Sequence, residues 1–274
     1  MTKKLHRKFY SQPFKPNDGD LFFATSRNMV EKSNETFLTL FIMGNRRLFG
    51  SIYSGLLPDY FHSMPRESGV LICPVAKTEL IFHGQKLPGD IDLIVIPYER
   101  DTLILDKTMA VEIKIIRASY KKQDKSPNEF GYSQCRSLLD IGFPYVSLLH
   151  IIVSDRSPKD TWEDVPAYRI INDQGEAESA GTERMDTMPW RLIERAFGRL
   201  TKNAGTELIG LSATYVDTGH PGSKDNTEIN GFHFPLCKKC QENPNLSEIN
   251  MSILGNFFEE NSRRFFMTPR FDPN

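Results

Sequence analysis

Residues 88–116 read PGDIDLIVIPYERDTLILDKTMAVEIKII, and the fold turns on how this stretch is read. It holds two apolar runs, Asp90 to Ile96 and Met109 to Ile116. β-Branched residues dominate both, as suits a pleated and largely buried strand. Pro88-Gly89 before the first run and Pro97 after it are residues that punctuate strands. Tyr98 to Lys107, between the runs, is long enough for a turn or a short hairpin excursion. The stretch therefore predicts two neighbouring strands at the centre of a sheet.

Side chains alternate along a strand, so residues i and i+2 share a face. Asp90 and Asp92 then point the same way, as do Glu112 and Lys114, with Ile113 facing the other side. Unpaired charge is costly to desolvate, so acids and a lysine inside apolar strands need a reason beyond stability. One reason is a divalent cation held between the carboxylates, with the lysine beside it. Mg²⁺ takes oxygen ligands, often one or two carboxylates completed by substrate phosphate and water. Two plainer readings stand next to this one. Glu-x-Lys on a strand face also describes a solvated cross-strand pair, and Asp at a strand start also describes a turn.

The stretch resembles the PD-(D/E)XK nuclease superfamily. Gly89-Asp90-Ile91-Asp92 fits the first half of its motif, and Glu112-Ile113-Lys114 fits the second. The resemblance implies an α/β fold with a central mixed β-sheet flanked by helices. In that fold an αβββαβ core, restriction-endonuclease-like, is followed here by a C-terminal extension. It implies Asp92 and Glu112 as ligands of Mg²⁺ or Mn²⁺, with the Ile113 carbonyl as a third. Asp90 is a second candidate for the aspartate role. Lys114 would orient or activate the attacking water and steady charge on the phosphate. Glu35, near the start of the first helix, would point at the metal. Gln134 matches a glutamine that lines the site in several branches. Position 138 is leucine, however, where the RecB-type exonuclease branch carries tyrosine. The implied activity is metal-dependent hydrolysis of phosphodiester bonds, in DNA before RNA. The alternative is a catalytically inactive nuclease-fold module that binds nucleic acid or a protein partner.

The 274 residues are 39% hydrophobic and 25% charged with a net charge of −1, the composition of an ordinary globular chain. A nucleic-acid partner then needs a local basic patch rather than a polycationic chain. No apolar run is long enough for a transmembrane helix, and the opening MTKKLHRKFYSQPF lacks the apolar core of a signal peptide. The four cysteines do not make a disulfide framework. A cytoplasmic protein without a membrane partner is expected, with a homodimer as one compatible assembly. No Gly-rich phosphate loop, nucleophile elbow or His-Glu-x-x-His motif points to another enzyme class.

Three divisions are expected: an N-terminal arm over 1–32, a nuclease-like core over 33–217 and an extension over 218–274. A helix starts at Ser33 or Asn34. Residues 45–70, with Phe49, Tyr53, Tyr60 and Phe61, read as irregular or short helical structure. Val70 to Phe82 gives one or two strands broken at Pro74, with Val75–Phe82 as the outer strand of a meander.

Beyond the central pair, Lys121, Lys122 and Lys125 form a dense positive cluster, either a nucleic-acid contact or a solvated loop. Glu129 to Ile141 is helical, and Tyr145 to Val153 is a buried strand enclosing His150, read as a core histidine. Asp155 to Met188 is a surface insertion with one short strand at Ala167 to Ile171. Pro189 to Leu200 is an amphipathic helix with Arg191, Arg195 and Arg199 along one face, and Glu207 to Val216 is another buried strand.

The segment after Asp217 is loop-like and carries His220, His233, Cys237 and Cys240. Cys-x-x-Cys is half of a zinc site, and two histidines can complete four ligands. The spacing matches no standard finger or ribbon, so a metal-free loop is the competing reading. A helix follows from Ser247 to Phe258.

Overall fold

A computed structural model of the chain describes residues 5–15, 28, 34–84, 89–127, 130–217 and 231–270. In order, the elements are β1 (His6–Lys8), α1 (Glu35–Gly44), α2 (Arg46–Leu56), α3 (Pro58–Ser63), β2 (Ser68–Ala76) and α4 (Thr78–Ile81). Then come β3 (Ile91–Glu99), β4 (Thr102–Ile104), β5 (Met109–Arg117), α5 (Tyr132–Ile141) and β6 (Tyr145–Val153). The second half adds β7 (Glu163–Ile170), β8 (Ala177–Met185), α6 (Met188–Asn203), β9 (Ile209–Asp217), β10 (Gly231–Lys238), α7 (Glu248–Glu260) and β11 (Phe266–Pro269).

The fold is α/β, with a mixed, curled central sheet flanked by helices. Strands run in the order β1-β4-β3-β5-β6-β9-β10, and β2 with β11 continues the sheet from β3. β2, β3 and β5 pair antiparallel, whereas β5, β6 and β9 pair parallel. Parallel strands are covered on both faces, which is why β6 reads as an unbroken apolar run and is buried at every residue. Leu138 of α5, Leu192 of α6 and Leu254 of α7 pack on one face. Leu38 and Ile42 of α1 and Ile52 and Leu56 of α2 pack on the other.

Local chemistry sets the helix ends. The Asn34 side chain caps α1 by accepting the Thr36 N–H at 2.9 Å, and Asn45 caps α2 by accepting the Leu48 N–H at 3.0 Å. Gly131 and Gly142 bracket α5 in left-handed conformation, at φ 92° and 93°.

Several sequence expectations need correction. The outer meander strand is Ser68–Ala76, not Val75–Phe82, and residues 78–81 turn into a short helix. β2 runs through Pro74 and is unpaired only at Val75, whose φ is 48°. Residues 46–63 are two regular helices. The insertion at 155–188 forms a complete hairpin, β7 with β8, which makes a sheet of its own. Within 218–274, β10 pairs β9 and β11 pairs β2, so that segment is woven into opposite edges of the central sheet. Most of the arm over 1–32, and Ser33 after it, lies outside the described residues.

Candidate metal centre

β5 pairs with β6 along its whole length, from Met109 to Arg117. Its ladder with β3 is much shorter and holds only Leu93, Ile94 and Val95 against Val111, Ala110 and Met109. Carried one step further, the same register sets Asp92 across from Glu112, both on the face covered by α5. Instead of a further ladder bond, the Asp92 carboxylate reaches over and accepts the Ile113 N–H at 2.7 Å. A residue that pairs in an antiparallel ladder turns its N–H and C=O toward the same neighbour. The Ile113 carbonyl therefore also faces the gap where β3 and β5 part.

Glu112 is 4% exposed. Its Oε1 meets the Lys114 ammonium at 2.7 Å, a short charge-assisted pair with little access to water. Gly131 packs directly over both. A Cβ there would lie 3.2 Å from Glu112 Cγ, 3.4 Å from Lys114 Cε and 2.7 Å from Leu148 Cδ1. Asp90 is exposed and shares a narrow cleft with Glu112, Gln134, Thr78 and Ser137. Glu35, in the first turn of α1, is close enough to act electrostatically on Asp92, Glu112 and Lys114. The structure thus brings Asp92, Glu112, Ile113, Lys114, Asp90, Gln134 and Glu35 to one end of the β3–β5 pair.

Charge in this group is unbalanced. Burial pushes the Asp92 carboxyl up to about 7, and the negative charges of Glu112 and Glu35 add to the push. The Ile113 N–H and Lys114 offset only part of it. Burial also raises Glu112, against the opposing pull of its bond to Lys114. Lys114 is raised as well: burial alone would lower it, but Glu112, Glu35 and Asp92 together outweigh that. Three acids face one ammonium.

A hard divalent cation fits that imbalance and that donor chemistry: two carboxylates and a carbonyl, with remaining positions for water or phosphate oxygen. Among the described residues, however, no group of three or more His, Cys, Asp or Glu side chains is gathered around a single point. The described side chains therefore supply only part of a ligand set.

Lys121, Lys122 and Lys125 are exposed on the segment that leaves the end of β5 and returns to Gly131. Ser119 and Lys122 close a tight turn through reciprocal backbone hydrogen bonds. Two arginines of α6 brace the segment from below. Arg195 donates to the Gln123 side chain at 3.1 Å, and Arg199 donates to the Lys125 carbonyl at 2.7 Å. Arg191 instead pairs with Glu163.

Of the four residues considered for zinc, the three described ones do not gather around one point. His220 lies outside the described residues. His233 sits opposite Tyr215, and the two rings meet edge to face at 5.5 Å. Cys237 sits opposite Ser212, on the other face of the sheet, with its Sγ 3.3 Å from the Ser212 hydroxyl. Burial raises both thiols, Cys240 to about 12, so neither is readily ionised. Their role in the described fold is packing: Cys237 fills the space beside Gly55, and Cys240 the space beside Gly210.

His150 is fully buried beside Lys114 in the β5–β6 register. Its Nε2 lies 3.2 Å from the Phe130 carbonyl, and burial lowers its pKa to about 4. It is a neutral core histidine.

Sequence reasoning did not find Gly131, Thr78 or Ser137. Gly131 has no chemistry to announce it, and the sequence reading puts it inside a helix from Glu129, whereas the described helix begins at Tyr132 with Gly131 at its cap. Comparison with protein-family models, with curated proteins and with solved structures gives no match for this chain. Among the described residues, no helix is long and apolar enough to cross a membrane.

Proposed function

We propose that the protein is a metal-dependent nuclease of the PD-(D/E)XK type that hydrolyses phosphodiester bonds, with DNA as the favoured substrate. One observation carries the reading. Asp92 and the Glu112–Lys114 pair share one face where β3 and β5 diverge, and their summed charge is negative in a place with little water. The element order also supports it: leaving out α2, α3, α4 and β4, helix α1, the antiparallel strands β2, β3 and β5, helix α5 and the parallel β6 come in the order expected of such a core.

Asp92, Glu112 and the Ile113 carbonyl would hold the ion, with Glu35 and Asp90 at the rim. A bound Mg²⁺ or Mn²⁺ supplies Lewis acidity toward the phosphate and acidifies a water. Lys114 keeps its positive charge, because three acids surround it, and it offsets charge that grows on the phosphate. Gln134 offers an uncharged hydrogen-bonding group on the same cleft. Lys121, Lys122 and Lys125 would meet backbone phosphates without reading bases.

The test is cleavage of plasmid DNA by the purified full chain with Mg²⁺ or Mn²⁺, with and without chelator. Metal-dependent cutting that Asp92→Asn and Lys114→Ala abolish is the expected result. Cutting by Asp92→Asn at the parent rate overturns the assignment. The absence of a three-ligand cluster among the described residues favours the second reading, a nuclease-fold module that binds nucleic acid without cutting it. That reading predicts DNA binding with no cleavage under either metal.

A further inference from the structure

Among the described residues, β7 and β8 pair only with each other and form a two-stranded sheet apart from the central one. Such a ribbon is marginally stable alone in water, and a packed face is one thing that secures it. Eight residue pairs join the strands, from Glu163–Met185 to Ile170–Ala177. The Asn172 side chain closes the turn by accepting the Gln174 and Glu176 N–H groups, each at 3.1 Å.

The two faces of the ribbon differ. Side chains alternate along β7, and paired residues share a face. One face carries Pro166, Tyr168 and Ile170, opposite Thr182, Ser179 and Ala177. The other carries Val165, Ala167 and Arg169, opposite Glu183, Gly181 and Glu178. Val165 and Ala167 are half-buried, whereas Tyr168 is 69% exposed and Ile170 is 72% exposed. Adjacent large apolar side chains left this open on one face mark an interaction surface, unlike single ones scattered over a protein.

Charge follows the same division. The apolar face holds one acid and one base, Asp164 opposite Arg184, at its foot. Glu163, Glu178 and Glu183 lie on the other face, and Asp173 and Glu176 lie at the turn. Residues 163–185 thus carry six acids and two arginines, a balance that repels a phosphate backbone. Both edges also resist strand addition. Pro166 interrupts β7, and the register of β8 shifts opposite Ala167 and Tyr168. The apolar face is what remains for a partner.

We infer that this face packs against the same face of a second copy of the chain. The pattern of side-chain sizes sets the symmetry. A two-fold axis along the hairpin lays β7 of each copy over β8 of the other. Tyr168 then lies over the second copy's Ser179, and Ile170 over its Ala177, large against small. The same operation sets Asp164 over the second copy's Arg184. The Asp160 and Trp162 carbonyls hold that guanidinium in place without neutralising it. An axis across the hairpin would instead stack Tyr168 on Ile170 and leave a gap between Ser179 and Ala177. The paired face is about 26 Å long and about 10 Å wide. It is smaller than the about 800 Å² that each partner gives to a standard interface, so the dimer is weak, half-formed at about 10–100 μM. The inference stands apart from the nuclease reading, because it uses none of the same residues.

Sedimentation equilibrium of the full chain from about 1 to about 300 μM tests it. The parent protein is expected to pass from monomer to dimer across that range. Tyr168→Lys combined with Ile170→Lys, at two exposed positions, weakens association about tenfold or more and leaves melting unchanged. Arg169→Ala, on the opposite face, leaves association unchanged. The symmetry has its own readout. Chains with Tyr168→Cys are mixed with chains with Ser179→Cys under oxidised glutathione, and the mixed disulfide is expected to exceed either like pair. Three results overturn the inference: a parent protein that stays monomeric at the highest concentration, a dimer that survives both lysines, or a dimer lost equally in Arg169→Ala. Like pairs of Tyr168→Cys chains that form faster than the mixed disulfide overturn it too, by placing the two faces in another register.

Discussion

The Asp92 carboxylate accepts the backbone N–H of Ile113 at 2.7 Å, at the point where the β3–β5 ladder stops. A side chain does there what a strand would otherwise do. One acid thus ends the pairing, satisfies the freed N–H and stands at the gap it keeps open.

Stability should fall as pH rises because of that acid. The ordinary carboxyl of an unfolded chain titrates near 3.8, while Asp92 in the fold titrates at about 7. Between these values the folded state holds the extra proton, so its advantage shrinks as pH climbs through the window and stays reduced above it. Asp92→Asn should remove that slope and stabilise the metal-free protein at pH 8, on the order of 2 kcal/mol. Mg²⁺ should flatten the slope in the parent by binding the ionised form. Denaturant melts at several pH values, with and without Mg²⁺, measure both. A parent protein whose stability is flat from pH 4 to 7.5 would contradict the shift.

His150 works in the opposite sense. Its folded pKa of about 4 lies below the ordinary 6.5, so the unfolded chain gains protons first as pH falls. Stability from this group is full above pH 6.5 and is lost as pH drops toward 4. Over that interval His150 and Asp92 offset each other. His150→Gln should therefore expose the Asp92 slope more sharply, and the paired melts of the single and double variants check it.

Lys114→Met should cost stability as well as activity. It leaves the Glu112 carboxylate, 4% exposed, without the ammonium it pairs with. The loss should be about 2 kcal/mol at neutral pH. Adding Glu112→Gln should recover most of it, since the pair is then replaced by uncharged groups. A double variant no more stable than Lys114→Met would show that packing, not charge, dominates there.

Gly131→Ala should crowd the carboxylate–lysine pair it covers. The new Cβ would meet Leu148 Cδ1 at 2.7 Å and Glu112 Cγ at 3.2 Å, from a backbone at φ 92° that alanine resists. A loss of about 2 kcal/mol is expected, together with lower metal-dependent cleavage. Gly142→Ala, at the same φ but beyond the other end of α5, is the control: destabilised, with the rate per folded molecule kept.

The Cys237 thiol should act as filler. Gly55→Ala would press a Cβ to 2.7 Å from Cys237 Sγ and 2.8 Å from its Cβ, so Gly55→Ala alone should destabilise, and Cys237→Ala, which removes only the sulfur, should recover part of the loss. Chelator should leave the melting point unchanged. A chelator-dependent fall, with zinc near one per chain by metal analysis, would restore the zinc reading.

The central strands and the helices beneath them were legible because burial writes itself as apolar pattern. β6 shows this best, with nine buried residues in a row. β8 is its opposite. AESAGTERM is exposed throughout, so its pairing rests on the backbone and a surface ion pair between Arg169 and Glu178 and leaves no apolar signal. β10 was read as loop within the polar segment after Asp217, and the structure takes up its Pro235 at a bulge between His233 and Leu236. In the site, Asp92, Glu112 and Lys114 were legible by type and spacing. The Asp92–Ile113 hydrogen bond was not, because it depends on two strands parting in space.

β11 comes last, yet it pairs with β2, which is made near the start. Until Pro269 has left the ribosome, the outer backbone of β2 faces water or another nascent chain. Chains cut short after α7 should therefore tend to stick to one another, even with every residue of the carboxylate cluster in place.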